Sequence, residues 1–351
     1  MTLTTVTHTL PLTLLRRNRM MPYSGRIVVH ESQHVKAADT LGTCLLPGKH
    51  LQIDLCDELG VKSVNKCMGL VERKPGDALT KGDVIAQTRS MVKRIVRAPS
   101  DGFVIAINNG MLLLEVENET FELKAGYTGI IHEILPELGV VIETSGALIQ
   151  GVWGNNRIGQ GILASSNQNP MLEFSRSSLD VSMRGCIWLG TYCVQEDALI
   201  AASELPLRGL ILGSMSAELI PVAMHMPFPI ILLEGFGMIA LNQMAYKLLT
   251  THDKREICIN ASSWDKTKGD RPEIIIPLPT EGKATDDVVE LADDQTIHVT
   301  TMPYIGKIGV IKRIHPASDL LPSQIRAPFV EAQTEVGETM NLPLQNFEVM
   351  G

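Results

Sequence analysis

The sharpest chemical feature of this sequence is a set of glycines and serines that follow short apolar runs. Gly235-x-Gly237-x-x-Ala240 stands between a predicted strand and a predicted helix, and it has the form of a dinucleotide-binding fingerprint. In open parallel sheets, ligands gather beyond the carboxyl ends of the strands, where helix N-termini expose amide donors. We therefore expect a small anionic ligand here, with candidate binding residues Gly190, Gly213, Ser214, Ser216, Gly235 and Gly237.

Two features of the sequence weigh against a nucleotide at this position. The fingerprint follows the third strand of the predicted unit and not the first. The next strand, EICINAS, does not end in the acid that would hold a ribose, because Asn260 and Ser262 stand there. The alternative interpretation is structural: the two glycines shape a tight strand–helix turn, and Ser214 or Ser216 caps the next helix.

The sequence shows no side-chain set for catalysis. Serines and an aspartate cluster in FSRSSLDVS without a nearby histidine, so no nucleophile–base pair is visible. His30 and His34 are four residues apart, but they lie in a β-patterned stretch, where this spacing does not place both on one helical face. We predict no catalytic residues and no metal ligands, and we favour a binding role over an enzymatic one.

Two groups of basic residues are candidates for contact with nucleic acid. Cations neutralise phosphates, and aromatic rings stack on single-stranded bases. However, only 4% of the chain is aromatic, and residues 296–351 hold five acids against four cations. Protein partners are therefore favoured, and nucleic acid is kept as the alternative. The candidate nucleic-acid residues are Arg89, Lys93, Arg94, Arg97, Lys307, Lys312 and Arg313.

The composition is that of a folded chain without a membrane span. The 351 residues are 44% hydrophobic and 20% charged, with a net charge of −8. No apolar run approaches the roughly 18–20 residues that a bilayer crossing needs. The N-terminal arginines follow the apolar part, unlike those of a secretory signal. The six cysteines form no CxxC pair, so we expect free thiols in a reducing cytoplasm.

The middle of the chain, residues 164–275, has the pattern of an α/β domain. The short apolar runs CIWLGTY, GLILGS, PIILLE and EICINAS predict strands, and their lack of alternation indicates a parallel sheet covered on both faces. Between them, EDALIAASEL, SAELIPVAMHM and ALNQMAYKLL predict helices. This sheet is the element that would position the glycines and serines of the candidate ligand site.

The first half of the chain contains two internal repeats. HESQHVKAADTLG, from His30, aligns with KPGDALTKGDVIA, from Lys74, so that Val35 falls on Leu79. APSDGFVIAI, from Ala98, aligns with AGYTGIIHEI, from Ala125, so that Gly102 falls on Gly129. Short alternating strands divided by glycine-centred turns predict a small all-β sandwich or barrel.

GDALTKGDVIAQ followed by APSDGFVIAI resembles the barrel-sandwich hybrid, or hammerhead, fold of biotinyl and lipoyl domains, over residues from about Tyr23 to Leu163. That fold also occurs in adaptor proteins of export pumps and in subunits of redox complexes. Its modified members carry a lysine at a hairpin tip, between two methionines for biotin, or after Asp and before Ala for lipoyl. Lys93 has Val92 and Arg94 as neighbours and lies too close to the following Ala-Pro, so no biotin or lipoyl group is expected there.

In the C-terminal segment, TIHVTTMPYIGKIGVIKRIHPASD contains Gly306, Gly309 and Ile311 at the spacing Gly-x-x-Gly-x-Ile. The segment resembles a KOW module, in which this pattern leads from a turn into the next strand of a small five-stranded barrel. The resemblance extends from Thr296 to Gly351. It implies contact with nucleic acid or with a protein partner, as in transcription and ribosomal proteins.

Together these features predict a multidomain α/β plus β protein. Its segments are an N-terminal extension at 1–22, a barrel-sandwich hybrid at 23–163, a central parallel α/β domain at 164–275, a linker at 276–295 and a KOW-like barrel at 296–351. The set resembles that of uncharacterised bacterial proteins, which implies no activity.

The predicted function is that of a non-catalytic cytoplasmic adaptor or assembly protein with a small-ligand site in the α/β domain. Two alternatives stay open. One is a KOW-type nucleic-acid-associated factor of transcription or translation. The other is an enzyme or nucleotide binder that uses the crevice near Gly213 and Gly235.

Overall fold

The structure is a computed structural model that describes residues 3–89, 93–116, 119–165, 173–265, 270–280, 288–321 and 324–351. The protein is mostly β, with 49% of its residues in strands and 13% in helices, and the strands form several sheets. None of the described helices is long and apolar enough to cross a bilayer.

The first half of the chain is built from strands and two short helices. They are β1 (Leu3–Thr7), β2 (Thr9–Met20), β3 (Arg26–Ile27), β4 (His34–Val35), β5 (Thr40–Leu45), β6 (His50–Asp54), α1 (Leu55–Leu59), α2 (Val64–Met68), β7 (Ala78–Leu79), β8 (Val84–Gln87), β9 (Ile95–Arg97), β10 (Gly102–Asn108), β11 (Met111–Val116), β12 (Thr120–Lys124), β13 (Gly129–Leu135), β14 (Gly139–Gln150), β15 (Trp153–Gly154) and β16 (Ile158–Ser165).

In the middle of the chain, strands and helices alternate. They are β17 (Cys186–Leu189), β18 (Tyr192–Cys193), α3 (Glu196–Glu204), β19 (Gly209–Met215), α4 (Ile220–His225), β20 (Ile230–Phe236), α5 (Gln243–Thr251), β21 (Glu256–Asn260) and β22 (Glu273–Pro277). The C-terminal part returns to strands, which are β23 (Val288–Glu290), β24 (Thr296–Val299), β25 (Ile308–Leu320), β26 (Arg326–Thr334), β27 (Thr339–Pro343) and β28 (Phe347–Met350).

The repeats predicted from the sequence form two matching lobes: an outer lobe (β3–β5 with β12–β14) and an inner lobe (residues 46–119). Gly129 lies opposite Val35 in the outer lobe, and Gly102 lies opposite Leu79 in the inner lobe. The two sequence alignments match these pairs residue for residue: Val35 aligns with Leu79, and Gly129 aligns with Gly102. Both glycines are required, because a Cβ at either position would lie 2.1–2.3 Å from a backbone oxygen of the adjacent strand.

The two lobes also share their turns and bulges. The Asp39 carboxylate accepts a hydrogen bond from the amide three residues before it at 2.8 Å, and Asp83 does the same at 3.0 Å. Such aspartate-closed turns fix the entry into the next strand. Each of these strands then carries one unpaired residue in its ladder, Leu41 in β5 and Ile85 in β8, and both are fully buried.

The inner lobe is inserted into a hairpin of the outer lobe. Leu45 at the end of β5 lies directly opposite Thr120 at the start of β12, and the chain forms the whole inner lobe between them. The inner lobe has its own hydrophobic core, which includes Leu112 and Leu114, separate from the core of the outer lobe around Leu41. The two lobes are therefore distinct packing units.

The strands and helices predicted for the middle of the chain are all present. Strands β16, β17, β19 and β20 form a parallel run, and β18 pairs in parallel with β19. Helices cover both faces of this run: Ile211 packs in one core with Leu249 of α5, whereas Leu210 packs in another with Leu199 of α3. This is the layered arrangement that apolar strands without alternation predict.

The sheet does not end at the parallel run, as an all-parallel domain would require. Strand β21 pairs antiparallel with β16, and β22 and then β14 extend the sheet into the first half of the chain, giving twelve strands. The expectation that EICINAS is a parallel strand is therefore wrong. The reason is that a strand buried on both faces has the same apolar pattern in either direction.

The C-terminal strands form a seven-stranded sheet in the order β23-β1-β28-β24-β25-β26-β27. Residues 1–22 and 276–295, assigned from the sequence to an extension and a linker, contribute β1, β2 and β23 to sheets. No sheet in the described part of the chain closes into a barrel. The barrel-sandwich and KOW folds themselves therefore stay predictions.

Candidate functional site

The glycines and serines predicted to bind a ligand come together at the carboxyl ends of the parallel strands. Their backbone amides, however, already donate within the protein. Gly190 donates to Ile211 O at 2.8 Å, and Gly213 donates to Thr191 O at 2.7 Å. The amides of Ser216 and Gly237 likewise donate to backbone carbonyls, at 2.9 Å each. An anion in this crevice would find these four donors engaged.

The structural interpretation of the glycines agrees with the geometry. Gly235 and Gly237 have φ angles of 119° and 126°, values that favour glycine in the turn after β20. The expected helix caps are wrong: Ser216 makes no side-chain capping bond. The Ser214 hydroxyl accepts the Ile239 amide at 2.8 Å and lies 2.9 Å from two carbonyl oxygens of the same loop. It holds this loop against the sheet because its side chain faces the loop and not the helix.

Next to this turn, a cavity of about 690 Å³ lies between the central sheet and the C-terminal sheet. Glu234, Gly235 and Phe236 at the end of β20 form one wall. Phe347 and Glu348 of β28 belong to the opposite wall. The rest of the lining consists of Trp264, aliphatic residues and the polar residues Thr4, Thr300 and Gln345. The lining is more apolar than polar, and two acidic residues belong to it.

The first acid, Glu234, lies within a hydrogen-bonded group that spans both sheets. Its side chain is fully buried, and its Oε2 lies 2.7 Å from His298 Nε2 of β24. The backbone amide and side-chain Nδ2 of Asn242 donate to its Oε1 at 2.9 and 2.7 Å. Asn242 also caps α5, because its Oδ1 accepts the Ala245 amide at 2.8 Å. One residue thus both begins the helix and orients the acid.

His298 has a raised pKa for reasons that the geometry shows. Burial alone would lower the pKa of this imidazole, since it penalises the charged form. The hydrogen bond to Glu234 and the charges of Glu234 and Glu348 outweigh burial, so the pKa lies above the ordinary histidine value. Glu348 is the direct cross-strand neighbour of His298.

The second acid, Glu348, is incompletely paired. Its Oε2 accepts hydrogen bonds from Arg271 Nη2 at 3.0 Å and from the Thr7 hydroxyl. Its Oε1 is buried and has no hydrogen-bond partner, in a side chain that is only 6% exposed. A buried acceptor without a donor costs about 1–3 kcal/mol, and more when it is charged. A bound donor would relieve this cost.

Arg271, the partner of Glu348, is itself held in place by several contacts. Its guanidinium stacks 4.5 Å from the centre of the Trp264 ring and also donates to backbone oxygens of Val6 and Gly151. Glu234, His298, Glu348 and Arg271 therefore form a row of alternating charge where the two sheets meet. The lining contains the two acids but neither of the two cations.

Sequence reasoning does not find this row. Three of its members lie in β20, β24 and β28, Arg271 lies in the segment before β22, and none is part of a motif. The one signal is Glu234, the acid that interrupts the apolar run PIILLEGFGMIAL. A carboxylate inside a strand that is otherwise buried requires a partner.

The basic residues lie at the surface, and several have acidic partners. Lys307 pairs with Glu338, and Lys312 lies 4.0 Å from Asp294. Arg313 is opposite Glu331 on the next strand. The predicted hairpin is present as β8 and β9, and Arg89, Lys93, Arg94 and Arg97 are all exposed on it. Residues 90–92 beside Lys93 lie outside the described residues.

The metal-binding possibility raised by His30 and His34 finds no support in the geometry. His30 Nδ1 lies 3.0 Å from its neighbour's carbonyl oxygen. Within the described ranges, no group of three or more His, Cys, Asp or Glu side chains is placed to hold a metal ion.

Comparison with known proteins does not assign this chain to a family. No family model matches the sequence. No curated protein is similar enough to it to count as a match. The cavity and the charged residues beside it are therefore the features that indicate a function.

Proposed function

We propose that this protein is a non-catalytic adaptor that binds a small organic molecule in the cavity between the central and C-terminal sheets. The observation that carries the proposal is the cavity itself, at the carboxyl end of the parallel strand β20. Ligand sites of open parallel sheets gather at these ends. Its volume of about 690 Å³ is in the usual range for small-molecule sites.

The position of the cavity supports an adaptor role. A ligand there contacts residues of both sheets at once, so its binding energy would stabilise one relative arrangement of the two. The resemblance to the barrel-sandwich hybrid fold, which occurs in adaptor proteins of export pumps, supports the same role. The resemblance to a KOW module implies contact with a protein partner or with nucleic acid. The six cysteines, all free thiols, support a cytoplasmic location.

The alternatives have less support. Nucleic acid would need a large set of free cations. Lys307 and Lys312 each have an acidic partner, which leaves the exposed cations of the hairpin, Arg89, Lys93, Arg94 and Arg97. An enzyme of the acid–histidine type would need a nucleophile beside His298. The only hydrogen bond of this imidazole among the described residues is to Glu234. The binding role uses the cavity without requiring either.

The test is to heat-denature the protein purified from cells and to identify the small molecules that it releases. We expect one compound in near-stoichiometric amount. Val152→Phe should abolish its recovery, because Val152 borders Gly235 in the cavity wall and the larger ring occupies the space.

Val181→Phe is the matched control, since Val181 is 68% exposed and belongs to another part of the chain. This variant should release as much compound as the unaltered protein. An empty extract from the unaltered protein, or equal release from the Val152 variant, would refute the proposal.

A further inference from the structure

We infer that the ligand of this cavity is a small organic cation, an apolar body that carries a protonated amine. The inference rests on the proposed function and adds the chemical class of the ligand. Three observations lead to it: the sign of the charge on the walls, the unpaired carboxylate oxygen, and the aromatic rings.

Among the described residues, Glu348 is the only lining residue whose charged side chain keeps any exposed area, because the Glu234 side chain is fully buried. Glu234 and Glu348 are among its lining residues, whereas their cationic partners His298 and Arg271 are not. No lysine, arginine or histidine among the described residues belongs to the lining. An anionic ligand would lie next to the Glu348 carboxylate, and like charges at close range repel.

Glu348 specifies a donor. Its Oε2 is occupied by Arg271 and Thr7, and its Oε1 is buried without any partner among the described residues. An ammonium N–H supplies the missing hydrogen bond in its charge-assisted form, which is stronger than a bond from a neutral donor. Glu234 is already saturated by His298 and Asn242, so Glu348 is the acceptor that a ligand can use.

The aromatic residues of the lining can contact both the apolar body and the cationic group of such a ligand. Phe236, Trp264 and Phe347 belong to the lining, and aromatic faces attract cations as well as apolar groups. Trp264 already stacks on the Arg271 guanidinium, which shows that this ring accepts a cation in the present geometry.

The experiment measures the affinity of four matched compounds for the full chain by calorimetry. The compounds are benzylamine, benzyl alcohol, benzoate and benzyltrimethylammonium. We expect benzylamine to bind at least about tenfold more tightly than benzyl alcohol, and benzoate not to bind. Benzyltrimethylammonium keeps the charge but has no N–H, so it should bind more weakly than benzylamine. Val152→Phe should abolish binding of all of them.

Glu348→Gln should reduce benzylamine affinity by about tenfold or more. Glu335→Gln, at an exposed acid of the C-terminal part that does not line the cavity, should leave the affinity unaltered. If the Glu348 variant does not fold, the compound series on the unaltered protein still tests whether the ligand is a cation.

The cation assignment would be overturned if benzoate or benzyl alcohol bound as tightly as benzylamine and Val152→Phe abolished that binding. The proposed binding function would then still stand. No binding by benzylamine would overturn the assignment as well. An empty small-molecule extract, by contrast, would remove the proposed function itself.

Discussion

Buried charges in this protein are held by several partners each. Glu273 of β22 is the fullest case: it accepts hydrogen bonds from Arg17 at 2.7 Å, Tyr127 at 2.9 Å and Gln150 at 2.8 Å. Burial by itself would raise the pKa of this carboxyl, but the Arg17 charge and these bonds lower it overall. Glu273 is saturated, whereas Glu348 has one oxygen without a donor among the described residues. This difference distinguishes a structural charge from a candidate binding group.

His298 gives the molecule a pH-dependent contribution to stability with a defined sign. Its pKa in the folded state is raised, so its contribution is fully present below the unfolded value of about 6.5. The contribution is lost as pH rises through the folded pKa. We predict that His298→Gln lowers the free energy of unfolding by about 3 kcal/mol at pH 6, because Glu234 loses its charged partner.

Denaturant unfolding of both proteins across pH 6–9 is the measurement, and the difference should shrink as pH rises. His225→Gln, at an exposed histidine away from the charged row, is the matched control and should leave the profile unaltered. A difference that is constant or grows with pH would contradict the account.

At the scale of elements, the local sequence pattern predicts which residues form strands and helices better than it predicts which strands pair. The two repeat alignments correctly identify equivalent positions such as Val35 and Leu79. They do not reveal that one lobe is inserted into a hairpin of the other. The partner of β5 is β12, with the whole inner lobe between Leu45 and Thr120. The residues of the two strands do not indicate how far apart in sequence the partners lie. The direction of β21 is hidden for the same reason.

The nested arrangement predicts that the inner lobe can be removed. Replacing residues 46–119 with Asn-Gly should close β5 and β12 as a two-residue hairpin, since Leu45 and Thr120 are directly opposite. The remaining chain should unfold cooperatively in thermal denaturation, because the core around Leu41 is separate from that around Leu112. Asn-Gly in place of residues 136–138, the existing turn between β13 and β14, is the control for the graft. Loss of cooperative unfolding only in the excised protein would show that the lobes are not independent.

At the scale of the whole molecule, the sheets are joined by strands from distant parts of the chain. The N-terminal β1 pairs in parallel with the C-terminal β28, and β14 links the outer lobe to the central sheet. Composition and pattern predict the β-rich and α/β parts but not these joints. The candidate site lies at such a joint, and this is why its charged residues are scattered in sequence: Thr7, Glu234, Arg271, His298 and Glu348. The sequence leads only to the turn at Gly235, at the edge of the cavity.

The most direct test of a ligand held between the two sheets is hydrogen exchange, measured with and without the low-mass fraction of a cell extract. We predict slower exchange in both walls together, at residues 234–236 of β20 and 344–348 around β28, in the unaltered protein and not in Val152→Phe. Unchanged exchange in both walls, or protection confined to one of them, would contradict the account.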